Sequence, residues 1–291
     1  MKKAIITLAT NHYNELWETH CKNNWKIWAD LNNYELHCFT KILDGSIRSK
    51  GRSHAWQKLL AMTQEKFNKY DYCLWLDADI FINPKAPDPV TFVDRNLIAV
   101  TIETGSPYSD ELINIKRSWN EAYRKQNHGR SWEERNYFNG WGFKGTSRPL
   151  FNTGVIGYSP RAHSEFLKDI YYRWEESEDQ SLWGEMIPFN LAVQASDWQM
   201  LPKEYNRLAF PISKTWHKFI EKDKASWNAS LSKVCMTEDQ FIMQIYNESY
   251  FLHLAGASKD RFINYSKIIN GKYKNDQSKS NLIKFNTTTG Y

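Results

Sequence analysis

Apolar positions along the chain fall into short continuous runs and longer segments with helical spacing. Ala4 to Thr10 is an apolar, β-rich run halted by polar Asn11-His12-Tyr13-Asn14, which predicts a buried first strand. From Glu15 to Leu31, the residues Leu16, Trp25, Ile27, Trp28 and Leu31 recur among polar positions and predict a helix. Tyr34 to Phe39 reads as a second strand, and helical spacing returns from Ser53 to Asn68. Tyr72 to Leu76 is a continuous apolar run that resumes at Ile80-Phe81-Ile82 and stops at Asn83-Pro84. Leu97 to Ile102 and Gly154 to Tyr158 predict further strands, while Arg161 to Trp174 and Ile187 to Ala195 predict further helices.

This alternation is the βαβ rhythm of an α/β domain, a mostly parallel central sheet flanked by helices. The pattern lapses over 103–150, which is polar and rich in Trp, Tyr, Gly and Arg. A long irregular stretch of that kind inside a domain suits a lid or a binding platform. Residues 1–265 therefore read as one domain carrying 103–150 as an insertion, with 266–291 as a polar C-terminal tail.

Composition changes the picture little. Hydrophobic residues at 41% and charged residues at 24% are ordinary for a globular protein. Aromatics at 15% exceed the usual share, and their flat faces suit sugar rings or bases as well as a core. The net charge of +5 is scattered, without the basic face that a duplex nucleic-acid binder concentrates. Cys21, Cys38, Cys73 and Cys235 have no CxxC spacing and read as free thiols of a reducing compartment. The apolar stretch at the N-terminus is too short for a signal peptide, and no run approaches the ~18 apolar residues of a membrane helix. A cytoplasmic location is expected.

The chemistry concentrates at Asp77-Ala78-Asp79. An apolar strand ending in Asp-x-Asp places two carboxylates at the carboxyl edge of a parallel sheet, where such sheets bind ligands. In an extended chain alternate residues share a side, so Asp77 and Asp79 are expected to point one way. A pair of unit charges ~4 Å apart is worth about 4 kcal/mol at an effective dielectric of ~20, so two such anions call for a cation. Mg²⁺ or Mn²⁺ fits carboxylate and water ligands and leaves positions for diphosphate oxygens. As a bare string the motif is short, and two aspartates capping a helix are the plainer alternative.

A second cluster follows another apolar run, Phe251-Leu252-His253-Leu254-Ala255-Gly256-Ala257-Ser258-Lys259. The neutral imidazole of His253 is a suitable third ligand, Gly256 lets backbone approach a phosphate, and Lys259 brings a positive charge to it. Arg52, ahead of the helix bearing Trp56 and Lys58, is a candidate for the diphosphate or donor sugar, with a solvated surface arginine as the alternative.

In these pieces and their order the chain resembles the GT-A-fold, nucleotide-sugar-dependent glycosyltransferases, particularly glycogenin-like and retaining galactosyl-transferring groups. The matching segments are Ala9-Thr10-Asn11, Asp77-Ala78-Asp79, Phe151-Asn152-Thr153-Gly154-Val155, Leu201-Pro202-Lys203-Glu204-Tyr205-Asn206 and His253 to Lys259. The resemblance implies a Rossmann-like GT-A sheet, with Asp77, Asp79 and His253 as metal ligands and Gly256 and Lys259 on the diphosphate. It places Thr10, Asn11 and Tyr13 at the nucleoside, and Asn152, Thr153 and Gly154 beside donor sugar and acceptor. Glu185 stands where relatives carry an Asp-Gln pair, and Asp239-Gln240 has those letters but lies in a different order. Lys259 is followed by Asp260-Arg261, where the glycogenin-like group has Pro-Trp.

The expected activity is transfer of a hexose from a UDP- or GDP-sugar to an acceptor hydroxyl, on a glycan for example, with Mn²⁺ or Mg²⁺ on the diphosphate. Retention is favoured over inversion; an inverting enzyme needs a base, for which Glu185 is the candidate, with Asn152 and Asp239 as further catalytic candidates. Two alternatives belong to other classes. A haloacid-dehalogenase-like phosphatase would use Asp77 as nucleophile, but such enzymes place the motif near the N-terminus and follow it with Thr or Val, where this chain has Ile80. A non-catalytic sugar-binding protein rests on the tryptophan content alone.

Overall fold

The computed structural model describes residues 1–102, 150–174, 184–209 and 237–271. The expected insertion therefore lies outside the described residues except at Leu150, which is buried.

Six strands form the main sheet: β1 (Lys3–Leu8), β2 (Tyr34–Phe39), β3 (Tyr72–Leu76), β5 (Ile98–Ile102), β6 (Phe151–Tyr158) and β7 (Trp198–Met200), in the order β2-β1-β3-β6-β5-β7. The pairings β1–β2, β1–β3 and β5–β7 are parallel. β6 runs antiparallel to both its neighbours, so the parallel rhythm expected from the sequence is interrupted at the centre.

Alternation along the strands explains the layers. Ile5, Tyr72 and Leu74 join one core, while Ala4, Ile6, Cys73 and Trp75 join another on the opposite face. Because both faces are covered, these strands read as continuous apolar runs. The five residues of β3 and the eight of β6 are all buried.

Helices α1 (His12–Leu16) and α2 (Lys22–Asn32) cover the first face, joined by a π-helical turn at Trp17–Cys21. The single helix expected over 15–31 thus carries a π-turn, which buries Trp17 and Cys21. α3 (Ile47–Lys50) is one short turn, and α4 (Gln57–Met62) follows a 3-10 turn at His54–Trp56. α4 ends early because the Thr63 hydroxyl and Gln64 amide both donate to Leu60 O, competing for the helix carbonyl. α5 (Pro160–Arg173) and α6 (Met186–Gln194) pack with α4 on the second face.

A second, three-stranded sheet was not anticipated: β4 (Ile80–Ile82), β9 (Phe251–His253) and β8 (Arg207–Leu208), in the order β4-β9-β8. The free edge of β4 is finished by side chains of α2. Asn24 accepts from Ile82 N and donates to Ile82 O, and the Trp25 indole donates to Ile80 O at 2.7 Å. α7 (Glu238–Asn247) and a helix over 259–271, α8, close this end. α8 continues past 265, and within it Ser266 and Ile269 are buried while Lys267 and Gly271 are exposed. Residues 272–291 lie outside the described residues.

Candidate metal and ligand site

The two sheets meet at Asp77-Ala78-Asp79. β3 ends at Leu76 and β4 begins at Ile80, so the aspartates lie on a connecting turn in which Ile80 N donates to Asp77 O at 3.2 Å. Strand alternation was expected to align them; the turn does so instead, because the chain must step from one sheet to the other within three residues. Asp77 N donates to Gly154 O of β6 at 2.9 Å, and Leu254 N donates to Asp79 O at 3.0 Å. Ile80 pairs with His253 across the β4–β9 ladder. Each carboxylate is thereby fixed to a different sheet.

The structure brings Asp77, Asp79 and His253 together, with one ligand atom from each lying within 4.8 Å of the others. His253 Nε2 is 3.1 Å from Asp79 Oδ1 and 4.0 Å from Asp77 Oδ2. The other oxygen of Asp77, Oδ1, is held by the Trp75 indole at 2.8 Å and Lys58 Nζ at 3.1 Å. Burial opposes ionisation of Asp79, but His253 and then Lys58 hold its carboxyl below the ordinary carboxylate range.

Whether this set fits a cation is decided on the far side of the imidazole. His253 Nδ1 lies 2.8 Å from Asn206 Oδ1, an acceptor, so Nδ1 carries the proton. Nε2 faces Asp79 Oδ1 at 3.1 Å, so the place between them takes either a proton on Nε2 or a metal cation on its lone pair. Two carboxylate oxygens and one imidazole nitrogen are a ligand set that suits Mn²⁺ or Mg²⁺.

Beneath the turn lies a buried cation that sequence reasoning missed. Lys58 Nζ contacts Asp77 Oδ1 at 3.1 Å, Glu185 Oε1 at 2.7 Å, and both oxygens of Thr153 at 3.2 Å. Burial disfavours the ammonium, but the Asp77 and Glu185 carboxylates outweigh it and raise its pKa above the usual lysine value. Glu185 also accepts from the Thr153 hydroxyl at 2.8 Å, and its side chain is 3% exposed. The residue expected as a free base is thus an enclosed partner of Lys58. Asn152 is buried as well, its Oδ1 taking hydrogens from Gly154 N and Asn206 Nδ2, both at 2.8 Å.

The remaining candidates divide. Tyr13 is 41% exposed and stacks on His12 at 4.3 Å; burial, then Asp79 and Asp77, raise its phenol pKa, which puts it within their field. Thr10 and Asn11 face His54 Nδ1 at 3.3 and 3.4 Å, and Asn11 has a φ of 54°. Ala78 is buried in the turn between the two aspartates. Gly256, with a φ of 73°, turns the chain after β9 in the left-handed region where only glycine is unstrained. Lys259 opens α8 with its ammonium 3.4 Å from Glu15, so its charge rests on a surface partner.

Arg52 and Asp239 are drawn elsewhere. The Arg52 guanidinium donates to Tyr171 O at 2.6 Å and to Trp174 O, and stacks on Trp56 at 4.1 Å. It ties the loop before α4 to the end of α5, which neither expected alternative described. Asp239 is exposed in the first turn of α7, where Thr237 and Gln240 form a capping box. The Asp-Gln letters there serve a helix terminus. Lys58, Asn206, Trp75 and Thr101 contribute polar groups to the site that the sequence did not single out. The one trace of Asn206 was its place ending the Leu201-Pro202 segment.

No known family profile matches the sequence, and no curated protein does. Solved structures do match. A glycosyltransferase involved in the glycosylation of the major capsid of PBCV-1 is 14% identical, with a TM-score of 0.55 over 92% of this chain and 100% of that one. An active-site mutant of LgtC is 11% identical, with a TM-score of 0.51 over 92% of this chain and 95% of the other. The galactosyltransferase LgtC with donor and acceptor sugar analogues is also 11% identical, at a TM-score of 0.49 over the same shares. The described strands and helices therefore form a GT-A-like glycosyltransferase fold, with the Asp-Asp-His cluster where its central strand ends.

Proposed function

We propose that this protein transfers a sugar from a nucleoside diphosphate sugar, UDP- or GDP-linked, to an acceptor hydroxyl such as one on a glycan. The observation that carries this reading is the convergence of Asp77, Asp79 and His253 at the carboxyl end of β3 within a GT-A-like fold. Asp77, Asp79 and His253 would hold Mn²⁺ or Mg²⁺, which supplies Lewis-acid stabilisation of charge on a leaving diphosphate. Tyr13 lies within the field of Asp79 and Asp77, and with Thr10 and Asn11 it would hold the nucleoside. Gly256 lies on the turn after β9 and Lys259 at the start of α8, and movement of Lys259 from Glu15 would bring its charge to a phosphate.

Retention of anomeric configuration is favoured by the state of Glu185. Its carboxylate is enclosed and bound to Lys58 and Thr153, which leaves it poorly placed to take a proton from an acceptor. Lys58 and Glu185 instead support Asp77 from below. A cytoplasmic setting agrees with free Cys21, Cys38 and Cys73 among the described residues.

Titration calorimetry with UDP and GDP, with and without Mn²⁺, tests the reading. Nucleotide should bind in a metal-dependent manner to the wild type, and Asp79→Asn should lose that dependence with the fold retained. Turnover surviving chelation of all metal, or hydrolysis of a generic aryl phosphate in place of sugar transfer, sinks it.

A further inference from the structure

His253 can serve a cation only if its ring is turned and protonated correctly, and one residue controls both. Asn206, buried at 2% exposure in the turn before β8, uses its whole amide. Its Nδ2 donates to Thr101 Oγ1 at 2.9 Å and to Asn152 Oδ1 at 2.8 Å, and its Oδ1 faces His253 Nδ1 at 2.8 Å. The amide has one workable orientation. Asn152 Oδ1 already accepts from Gly154 N, so a flipped Asn206 would set oxygen against oxygen in a buried place.

The main sheet is bent to make this possible. Pairing between β5 and β6 jumps from Val100↔Ile156 to Thr101↔Asn152. The irregularity brings Thr101 and Asn152 side by side as joint acceptors for the Asn206 amide, and such bulges re-aim side chains next to active sites. It also swings Gly154 against His253, where an added Cβ would come within 2.4 Å of the ring.

We infer that Asn206 is the positioning residue of the cation site: it holds His253 as the Nδ1–H tautomer and so delivers Nε2 as a ligand. This rests on the cation-site reading above. Asn206 links the two sheets, so the ligand from β9 is aligned to strands β5 and β6 through a side chain rather than through backbone pairing. Groups that bond the second nitrogen of a ligating imidazole commonly change metal affinity by about 10–100-fold when removed.

The test is Mn²⁺ affinity of the metal-free protein, followed by electron paramagnetic resonance, together with ¹⁵N shifts of the histidine ring. Asn206→Ala should weaken Mn²⁺ binding about 10–100-fold and mix the His253 tautomers. Thr101→Val removes an Asn206 partner without removing the acceptor for Nδ1–H, and it should bind Mn²⁺ close to wild type. Asn206→Ser falls short of the ring and replaces the alanine variant if that one does not fold, with the same expected loss. Unchanged Mn²⁺ affinity in Asn206→Ala with Nδ1–H retained overturns the inference. So does a loss in both substitutions that merely follows their melting temperatures, which marks a structural role. Wild type that binds no Mn²⁺, or Asp79→Asn that binds it equally, instead brings down the cation-site reading beneath.

Discussion

At Gly154 the absence of a side chain is a requirement of the site. A Cβ there would meet His253 Cε1 at 2.4 Å and Asn152 Oδ1 at 2.8 Å, and both neighbours are buried. Gly154→Ala should therefore cost about 1–3 kcal/mol of stability by overpacking, and weaken Mn²⁺ binding by displacing the imidazole. Urea melts and a metal titration on the same variant check both. Lys58 has the opposite character, a charge whose removal leaves others exposed to each other. Lys58→Met should destabilise by about 3–5 kcal/mol because Glu185 is left buried without its partner, and adding Glu185→Gln should restore part of the loss. A double-mutant cycle in urea measures it; a neutral single variant contradicts the enclosed pair. Asp77, Asp79 and His253 were legible in the sequence because each is a polar letter set against or within an apolar run. Lys58 was not, because a lysine within helical spacing reads as a solvated face, and only packing of α4 against β1 and α5 buries it. Asn206 showed only as the end of the Leu201-Pro202 segment, and its role was hidden because its three partners lie on strands far apart in the chain.

Among the elements, α5 begins with a histidine that senses acid. His163 Nδ1 accepts from Ser159 N at 3.1 Å, and Nε2 meets Asn96 O at 3.0 Å, so the neutral ring is bonded at both nitrogens. Burial holds its pKa below the ordinary value of ~6.5, against the pull of the Asn96 carbonyl. A depressed folded pKa means the unfolded chain binds the proton first. The contribution of His163 is full above about pH 6.5 and is lost as pH falls through the lower folded value. Denaturant melts from pH 7.5 downward should show this slope, and His163→Gln should reduce it; His20 and His37, also lowered, add a background of the same sign. Strands β2, β3 and β5 were readable to within a residue, because buried runs of fixed length tolerate little else. The breaks in the helices were less so. The π-turn at Trp17–Cys21 and the early end of α4 arise from side chains competing for particular carbonyls or for burial, which periodicity does not record. Short β4, β8 and β9 owe their existence to each other and to the edge supplied by α2.

For the molecule as a whole, a bound cation should act as a fastener between sheets. With free Mn²⁺ at 100 times its dissociation constant, mass action adds about 2.7 kcal/mol of stability, and the melting temperature should climb with metal concentration. Asp79→Asn should show a flat response, and a parallel rise in that variant argues for binding elsewhere. The GT-A-like architecture was visible in the order of motifs, whereas the antiparallel β6 was hidden, since an apolar strand carries no mark of its direction. The ladder joining Ile80 to His253 has a consequence in time. Two of the three ligands share the turn that follows β3 early in the chain, and the third arrives only when the chain returns late in its length to pair with β4. Closing so long a loop is slow relative to local helix formation. A refolding chain should therefore acquire its sheet before it can take up Mn²⁺, and the onset of metal binding would mark the completion of folding rather than its nucleus.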